Sequence, residues 1–379
     1  MIDRLHIENL RVFAEEDIEL SAFTVLVGPN GAGKSTALMV LDLLGRVLAE
    51  GADNVMIDRS HPSVLRTLGS DGDIAVQASG TTREKKCWKL RLEKPKGAES
   101  PSSRKPRIGV KWQAPGQEEW KSLHRTVDDD VSPKEVYPVV HSLRLAEDML
   151  WRPSYLEDEE DPVLRPSGAN LAAVLAFLNF NRPDDFERVQ DALRRVVPGI
   201  RRLRFRHVKI EKLEWTERPL WMVPGGTPDQ LKREKVTGFE LLFDTLVGDG
   251  IPAHAMSEGT LRSLALITAI LSSNLPALVL LDDLERAIHP RALTELIGQI
   301  RGLQRQLDGL QVLATTHSPY LLDEFEPADV RLLWSDERGM SRCQSMVDHP
   351  DYPSWCEIMS AGELWSVLGQ PWRSAGGEE

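Results

Sequence analysis

Residues 23–36 read FTVLVGPNGAGKST, and this stretch decides the fold. Phe23–Val27 is a continuous apolar run of buried-strand length. Gly28-Pro-Asn-Gly-Ala-Gly-Lys-Ser35 then fits the pattern GxxxxGK[ST]. From Thr36 to Leu48, apolar residues at 37, 38, 40, 41, 44, 47 and 48 keep helical spacing. Strand, glycine-rich loop and helix is the order a phosphate-binding loop requires. Backbone N–H groups of such a loop curl around phosphates, and the helix adds its positive end. Asn30, Gly31, Gly33, Lys34, Ser35 and Thr36 are therefore the candidate nucleotide contacts. Lys34 would reach the β- and γ-phosphates of ATP, and the Ser35 hydroxyl would bind Mg²⁺.

Upstream of this loop, Leu5, Ile7, Val12, Phe13, Ile18 and Leu20 mark short strands around a polar turn. Downstream, residues 81–121 turn rich in Lys, Arg, Pro, Gly and Ser. They predict an exposed hairpin region with strand pieces at Lys89–Leu92 and Ile108–Trp112 and a loop near 95–107. Helices are predicted near 169–180 and 184–197. After Phe239 an αβ rhythm returns, with a helix over Thr260–Leu271, a buried strand over Ala277–Leu281, a helix opened by Pro290, and a strand over Leu310–Ala314. This pattern predicts an α/β fold with a mixed, mostly parallel sheet built from both ends of the chain. Residues 1–80 and 239–379 would form one head, and residues 81–238 an inserted α+β lid.

Three further segments carry chemistry. Leu278-Val-Leu-Leu-Asp282-Asp283 describes a buried strand that delivers carboxylates to its C-terminal edge. Asp282 would hold the Mg²⁺, and Asp283 would polarise an attacking water. Met256-Ser257-Glu258-Gly259 opens an amphipathic helix, where a small hydroxyl and a glycine make either an anion site or an ordinary N-cap. His317 follows a buried strand in Ala-Thr-Thr-His-Ser-Pro, at the sheet edge where ligands bind.

Together these motifs resemble the ATP-binding-cassette (ABC) ATPases of the SMC, Rad50 and RecF type. Ile7-Glu-Asn-Leu-Arg11 and Phe23–Ser35 are similar to the first strands and Walker A of that family. Ser257-Glu-Gly259 is similar to its signature motif, Leu281–Pro290 to Walker B and D-loop, and His317 to the switch histidine. A closer likeness, to short bacterial AAA_21 or OLD-like ATPases, rests on Gly168-Ala-Asn-Leu171, Val197-Pro-Gly-Ile200, Thr316–Leu322 and Gly362-Glu-Leu-Trp365. The resemblance implies an ABC-type P-loop ATPase head interrupted by a large lid, working as a homodimer that sandwiches two ATPs. Ser257 and Gly259 would touch the γ-phosphate of the ATP held by the partner's loop. Lys34, Asp283 and His317 become the catalytic set, and Gln77, ending a strand Ile74–Val76, is assigned as the Mg²⁺-sensing glutamine. Two residues depart from the pattern. Asp283 stands where glutamate is usual, setting the carboxylate back by about 1.5 Å and predicting slow hydrolysis. Glu258 stands where glycine is usual.

Charge and length narrow the function further. The 379 residues carry 46 basic and 58 acidic side chains, a net charge of −12 that argues against coating nucleic acid with the whole surface. A local exception lies at 194–212, with Arg194, Arg195, Arg201, Arg202, Arg204, Arg206, Lys209 and Lys212 against one acid, Glu211. Two readings stay open there: phosphate contacts on DNA, or a solvated face paired with the acidic run at 157–161. In transporter ATPases the Walker A and signature motifs lie much closer than the 223 positions between Lys34 and Ser257, so that role is set aside. Sixty-two residues follow His317, too few for a Toprim nuclease domain, and no nuclease activity is expected. Asp336-Glu337 reads as a turn, and Asp128-Asp-Asp130 as a solvated loop. Three cysteines without CxxC spacing fit reduced thiols, and a soluble, cytoplasmic protein without a membrane span is expected. The leading expectation is a sensor or scaffold ATPase of anti-phage defence, controlling a separately encoded effector such as a Toprim-type nuclease. The alternative is a RecF-like DNA-binding ATPase of repair and recombination.

Overall fold

The computed structural model describes residues 1–50, 67, 72–82, 86–94, 109–122, 133–157, 161–215, 231–272, 277–306, 309–350 and 352–368. The expected loop at 95–107 and the Asp128–Asp130 cluster lie outside them. The chain forms two compact units. The first holds residues 1–142, 275–286 and 297–379, and the second holds 143–274 and 287–296.

The first unit contains two six-stranded sheets. In the phosphate-loop sheet, β3 (Phe23–Val27) lies between β13 (Gln311–Thr316) and β14 (Val330–Ser335), and both pair with it in parallel. β12 (Ala277–Leu281) pairs in parallel with β13, β8 (Val139–Leu143) closes the edge beyond β12, and β15 (Ser341–Ser345) runs antiparallel on β14. The mostly parallel sheet predicted from the sequence is thus present. Val25, Leu26, Val27 and Val312 are fully buried, which is why these strands read as unbroken apolar runs.

The other sheet is antiparallel, ordered β2-β1-β4-β5-β6-β7. Its members are β1 (Ile2–Leu10), β2 (Phe13–Glu19), β4 (Ile74–Thr81), β5 (Cys87–Lys94), β6 (Gly109–Gln113) and β7 (Lys121–Ser122). Alternation sends Ile7, Val76, Leu90 and Trp112 inward, while His6, Gln77, Arg91 and Lys111 line up across the strands on the opposite face. Helix α1 (Lys34–Glu50) shares one core with both sheets: Ala37, Leu41 and Leu44 pack in a cluster with Ile7, Leu90 and Trp112 from one and Leu26, Leu280 and Leu313 from the other. Gln311 stitches the sheets together, since its amide accepts from Ile2 N–H (2.9 Å) and donates to the Ile2 (2.7 Å) and Ser21 (2.9 Å) carbonyls.

The units part elsewhere than the expected boundaries at 80 and 238. Strands 87–94 and 109–113 carry buried side chains rather than a wholly exposed hairpin. β5 and β6 extend the antiparallel sheet, and Trp88 and Trp112 are fully buried with ring centroids 6.1 Å apart. Polar composition masked a strand face that alternates Trp and Leu inward with Lys and Arg outward.

The second unit packs α2 (Leu171–Asn181), α3 (Pro183–Val196) and α4 (Glu258–Leu271) with a sheet of β11 (Ile251–Pro252), β10 (Leu231–Thr245) and β9 (Ile200–Trp215). β9 and β10 form a long antiparallel ribbon. Its inward face carries Leu203, Phe205, Leu241 and Phe243, with Phe205 meeting Phe186 of α3 at 5.7 Å. Asn170 ties down the loop before α2 by bonding Arg165 N–H and the Val163 carbonyl. Among the described residues no helix is long and apolar enough to cross a membrane.

Candidate functional site

The phosphate loop is shaped by its glycines. Gly31 and Gly33 hold φ of +84° and +96°, a region open chiefly to glycine. Helix α1 begins at once at Lys34, so its free N–H groups face the loop. The Lys34 ammonium folds onto the loop, donating to the carbonyls of Gly28 (2.7 Å) and Pro29 (3.0 Å). Burial pushes its pKa down to about 8, against the opposing pull of Asp283, Asp282 and Glu285. The ammonium therefore faces three carboxylates and the mouth of a helix N-terminus, the setting in which a polyphosphate would take up its charge.

Ser35 donates to Asp282 Oδ1 at 3.1 Å, so the hydroxyl and carboxylate expected to share Mg²⁺ are already adjacent. A serine hydroxyl and a carboxylate are hard oxygen donors, the chemistry Mg²⁺ takes alongside phosphate oxygens. Both residues fit the ion.

Thr315 organises this cluster, and sequence reasoning passed over it. It is fully buried at the end of β13 and donates to Asp282 Oδ1 at 2.7 Å. The Thr315 Oγ1 in turn accepts the Asp283 N–H at 2.9 Å, and the Thr315 carbonyl accepts the Leu284 N–H at 3.1 Å. One side chain thus fixes both acids. The signal was a pair of hydroxyl residues, Thr315 and Thr316, ending an otherwise apolar buried strand. Asp283 sits at φ +52°, an uncommon conformation for a non-glycine residue. His317 Nε2 lies 4.0 Å from Asp283 Oδ1, so the switch histidine and the candidate general base come together.

Glu285 stands two residues beyond Asp283. In the structure its Oε1 accepts the His317 backbone N–H at 2.8 Å, while Oε2 is buried with no hydrogen-bond partner among the described residues. It positions the histidine's backbone. Farther along, Gly362 N–H donates to Asp323 (2.7 Å), and a methyl at Gly362 would overlap the Pro319 carbonyl, so helix α5 (Ala361–Leu368) braces the turn after His317.

Gln77 is not brought to this cluster. β4 does not end at Val76; its ladder continues to Thr81, and Gln77 faces His6 on β1 and Arg91 on β5. No hydrogen bond joins it to Ser35 or Asp282 among the described residues. Ala78, on the opposite face, is buried, and the strand stays paired past the expected turn.

In the second unit, Ser257 caps α4, and its Oγ accepts the Thr260 N–H at 3.2 Å. Glu258 turns back along the helix to Arg262 at 3.2 Å, and that guanidinium is buried. This pairing directs the carboxylate away from the Ser257 cap and resolves the departure noted at this position. Gly259 packs on the Ala287 carbonyl, which a side chain there would overlap. Ala287 itself holds φ +60°. Beside the cap opens a cleft of about 570 Å³, lined by residues of α3, α4 and the 287–295 segment.

The basic stretch 194–212 is largely answered by acids of its own unit. Arg194 pairs with Glu187 and Asp191, Arg201 with Asp249, Arg204 with Asp244, and Arg206 with Glu240. The described ends of the acidic run pair elsewhere, Glu157 with Arg165 and Asp161 with Arg182. Of these pairs, Arg206 and Glu240 stand directly opposite in the β9–β10 register, where opposite charges across a strand pair stabilise each other. Asp336 is confirmed as a turn residue, its carboxylate accepting the N–H groups of Arg338 and Met340.

Residues 23–323 match the family model described as "AAA domain, putative AbiEii toxin, Type IV TA system", named AAA_21. A 44-residue stretch is 46% identical to the OLD nuclease of Thermus scotoductus (strain ATCC 700910 / SA-01), covering 12% of this chain and 8% of that protein's length. Among solved structures, the SMC head domain from Thermotoga maritima is similar over 91% of this chain and 98% of its own, at 12% identity and a TM-score of 0.46. The recombination mediator protein RecF with ATP is similar over 84% of this chain and 92% of its own, at 12% identity and a TM-score of 0.41.

Proposed function

This chain belongs to the AAA_21 family of AAA domains, and on that premise we propose that it is a slow, ATP-dimerised sensor ATPase of a defence or toxin–antitoxin system. The observation that carries the ATPase reading is the cluster Ser35–Asp282–Thr315–Asp283, assembled beside Lys34 with His317 at its edge. Lys34 would bind the β- and γ-phosphates. Ser35 and Asp282 would hold Mg²⁺, which when bound neutralises developing phosphate charge. Asp283 would orient the water, with His317 beside it. Asp283 is shorter than glutamate and already fixed through its backbone to Thr315, so its carboxylate cannot advance to make up the missing methylene. Slow turnover follows.

The dimer enters because Ser257 and Gly259 form a capped helix start beside an open cleft, a place for the γ-phosphate of a second copy's ATP. The defence role draws on the family description, which names a toxin of a toxin–antitoxin system, and on the short match to a nuclease. A separately encoded effector, such as a Toprim-type nuclease, would be held or released as the dimer closes and opens. The RecF-like reading loses some support because four of the eight basic residues in this stretch pair with acids of their own unit.

The test is a comparison of wild type with Lys34→Ala in cells. A partner captured by the wild type with ATP and lost with Lys34→Ala supports the reading. Capture that ignores the substitution would sink the ATP-gated part. Tight, salt-sensitive DNA binding by the purified ATP-bound protein would favour the repair reading instead.

A further inference from the structure

One face of the long ribbon in the second unit changes character along its length. Register and alternation set Leu203 opposite Phe243, Phe205 opposite Leu241, His207 opposite Phe239, Lys209 opposite Thr237 and Glu211 opposite Lys235, all on that face. The first two of these rungs belong to the core. At the third, the His207 and Phe239 rings stand 5.0 Å apart and emerge from it. Phe239 also meets Phe205 at 6.4 Å and Phe180, near the end of α2, at 5.9 Å. His207 is exposed, and Phe180 is 59% exposed. Rings this open forgo much of the burial that stabilises an aromatic side chain in a core.

The charges on the next two rungs differ from those of the neighbouring arginines. Arg201, Arg204 and Arg206 each meet a carboxylate. Lys209 instead donates to the Thr237 hydroxyl at 2.7 Å, and neither Lys209 nor Lys235 forms an ion pair among the described residues. Glu211 is the one acid on these rungs. An exposed aromatic step therefore leads into a step with two ammoniums, in a chain whose net charge is −12.

We propose that Phe180, His207 and Phe239, with Lys209 and Lys235, form a binding site for single-stranded nucleic acid. Bases stack on the rings whatever their sequence, and the ammoniums attract the phosphates. Alternate side chains on one face lie about 7 Å apart along a strand, so a base on the His207–Phe239 rung leaves its neighbouring phosphate beside Lys209. In a duplex the base faces are already covered by their neighbours, which is why open rings select an unpaired strand. The site lies wholly within the second unit and does not depend on the dimer reading.

The test uses full-length protein without nucleotide and follows fluorescence anisotropy of labelled 20-mers: single-stranded DNA, RNA of the same sequence, and the DNA duplex. Wild type should bind a single strand more tightly than the duplex, and the preference between DNA and RNA assigns the source of the strand. Phe180→Ala and His207→Ala should each weaken that binding about tenfold. Lys209→Ala should flatten its dependence on salt. Phe180 and His207 are exposed, so neither change opens the core, and ATP turnover should stay at the wild-type rate. No single-strand binding up to about 100 μM would overturn the inference. Binding that prefers the duplex, or that ignores both aromatic substitutions, would overturn it as well. A protein partner lost with Phe180→Ala, in the absence of nucleic-acid binding, would give the patch to that partner and overturn it too.

Discussion

The helix start at Lys34 and the helix start at Glu258 are both preceded by small residues, yet their surroundings differ. At Lys34 the groups expected to act on ATP already engage one another. The ammonium sits on loop carbonyls, Ser35 on Asp282, and Thr315 on both acids. At Glu258 the cap and the Glu258–Arg262 pair are satisfied, and beside them opens a cleft where the Ser263 hydroxyl has no hydrogen-bond partner among the described residues. The difference teaches what each region requires. The first is preorganised for a ligand held by its own chain, which lowers the cost of ordering at the moment of reaction. The second, on the proposed dimer reading, would meet a nucleotide held by another copy.

The sharpest break of that comparison is Lys34→Ala. It should lower ATP affinity about 100-fold in a fluorescent-nucleotide titration, leaving the fold intact by circular dichroism. Comparable ATP binding without Lys34 would mean that the preorganised region is not the nucleotide site. Asp283→Ala should cut turnover about 100-fold and leave ATP affinity unchanged; a steady-state phosphate-release assay reads both the loss and the slow wild-type rate. If turnover persists, Glu285 becomes the base.

Next in size is Gln311→Leu, which strands the Ile2 and Ser21 backbone groups between two sheets. It should cost about 3 kcal/mol in urea unfolding, and a loss below about 1 kcal/mol would show that the sheets do not depend on this amide. pH sharpens the comparison further. The folded protein releases the Lys34 proton near pH 8, whereas the unfolded chain keeps it to about 10.5. Between those values the unfolded state binds more protons, so this group makes the ligand-free protein gain stability as pH rises. ATP binding runs the other way, because triphosphate needs the ammonium. Affinity should fall above pH 8 with proton uptake on binding, measurable by calorimetry in two buffers of different ionisation enthalpy. The smallest effect belongs to Arg206→Ala, which removes an exposed pair with Glu240. Stability should change by less than about 1 kcal/mol, and ATP-dependent dimerisation should be untouched.

Legibility followed the range of the interactions. The phosphate loop, the acids after β12 and the helix cap at Ser257 are local, written in five to ten consecutive residues whose spacing alone implies their geometry. The end of β4 was misread at Val76 because a strand's end depends on its neighbours, and β1 and β5 keep β4 paired past it. Thr315 was passed over because its value lies in two residues more than thirty positions earlier. The basic run misled for the same reason. Its acids lie on the adjacent strand, on α3 and in the turn after β10, and only register brings them opposite.

The sequence by itself determined the P-loop ATPase family and the mostly parallel sheet, and it picked out Lys34, Ser35 and Asp282, which the fold brings to one edge. Such motifs are dictated by backbone sterics and by the chemistry of phosphate, both of which act over a few residues. Tertiary structure alone decided that Thr315 orders the acids and that Glu258 is turned onto Arg262. Those outcomes depend on which side chains a buried core and a strand register force together, and no local pattern carries that information.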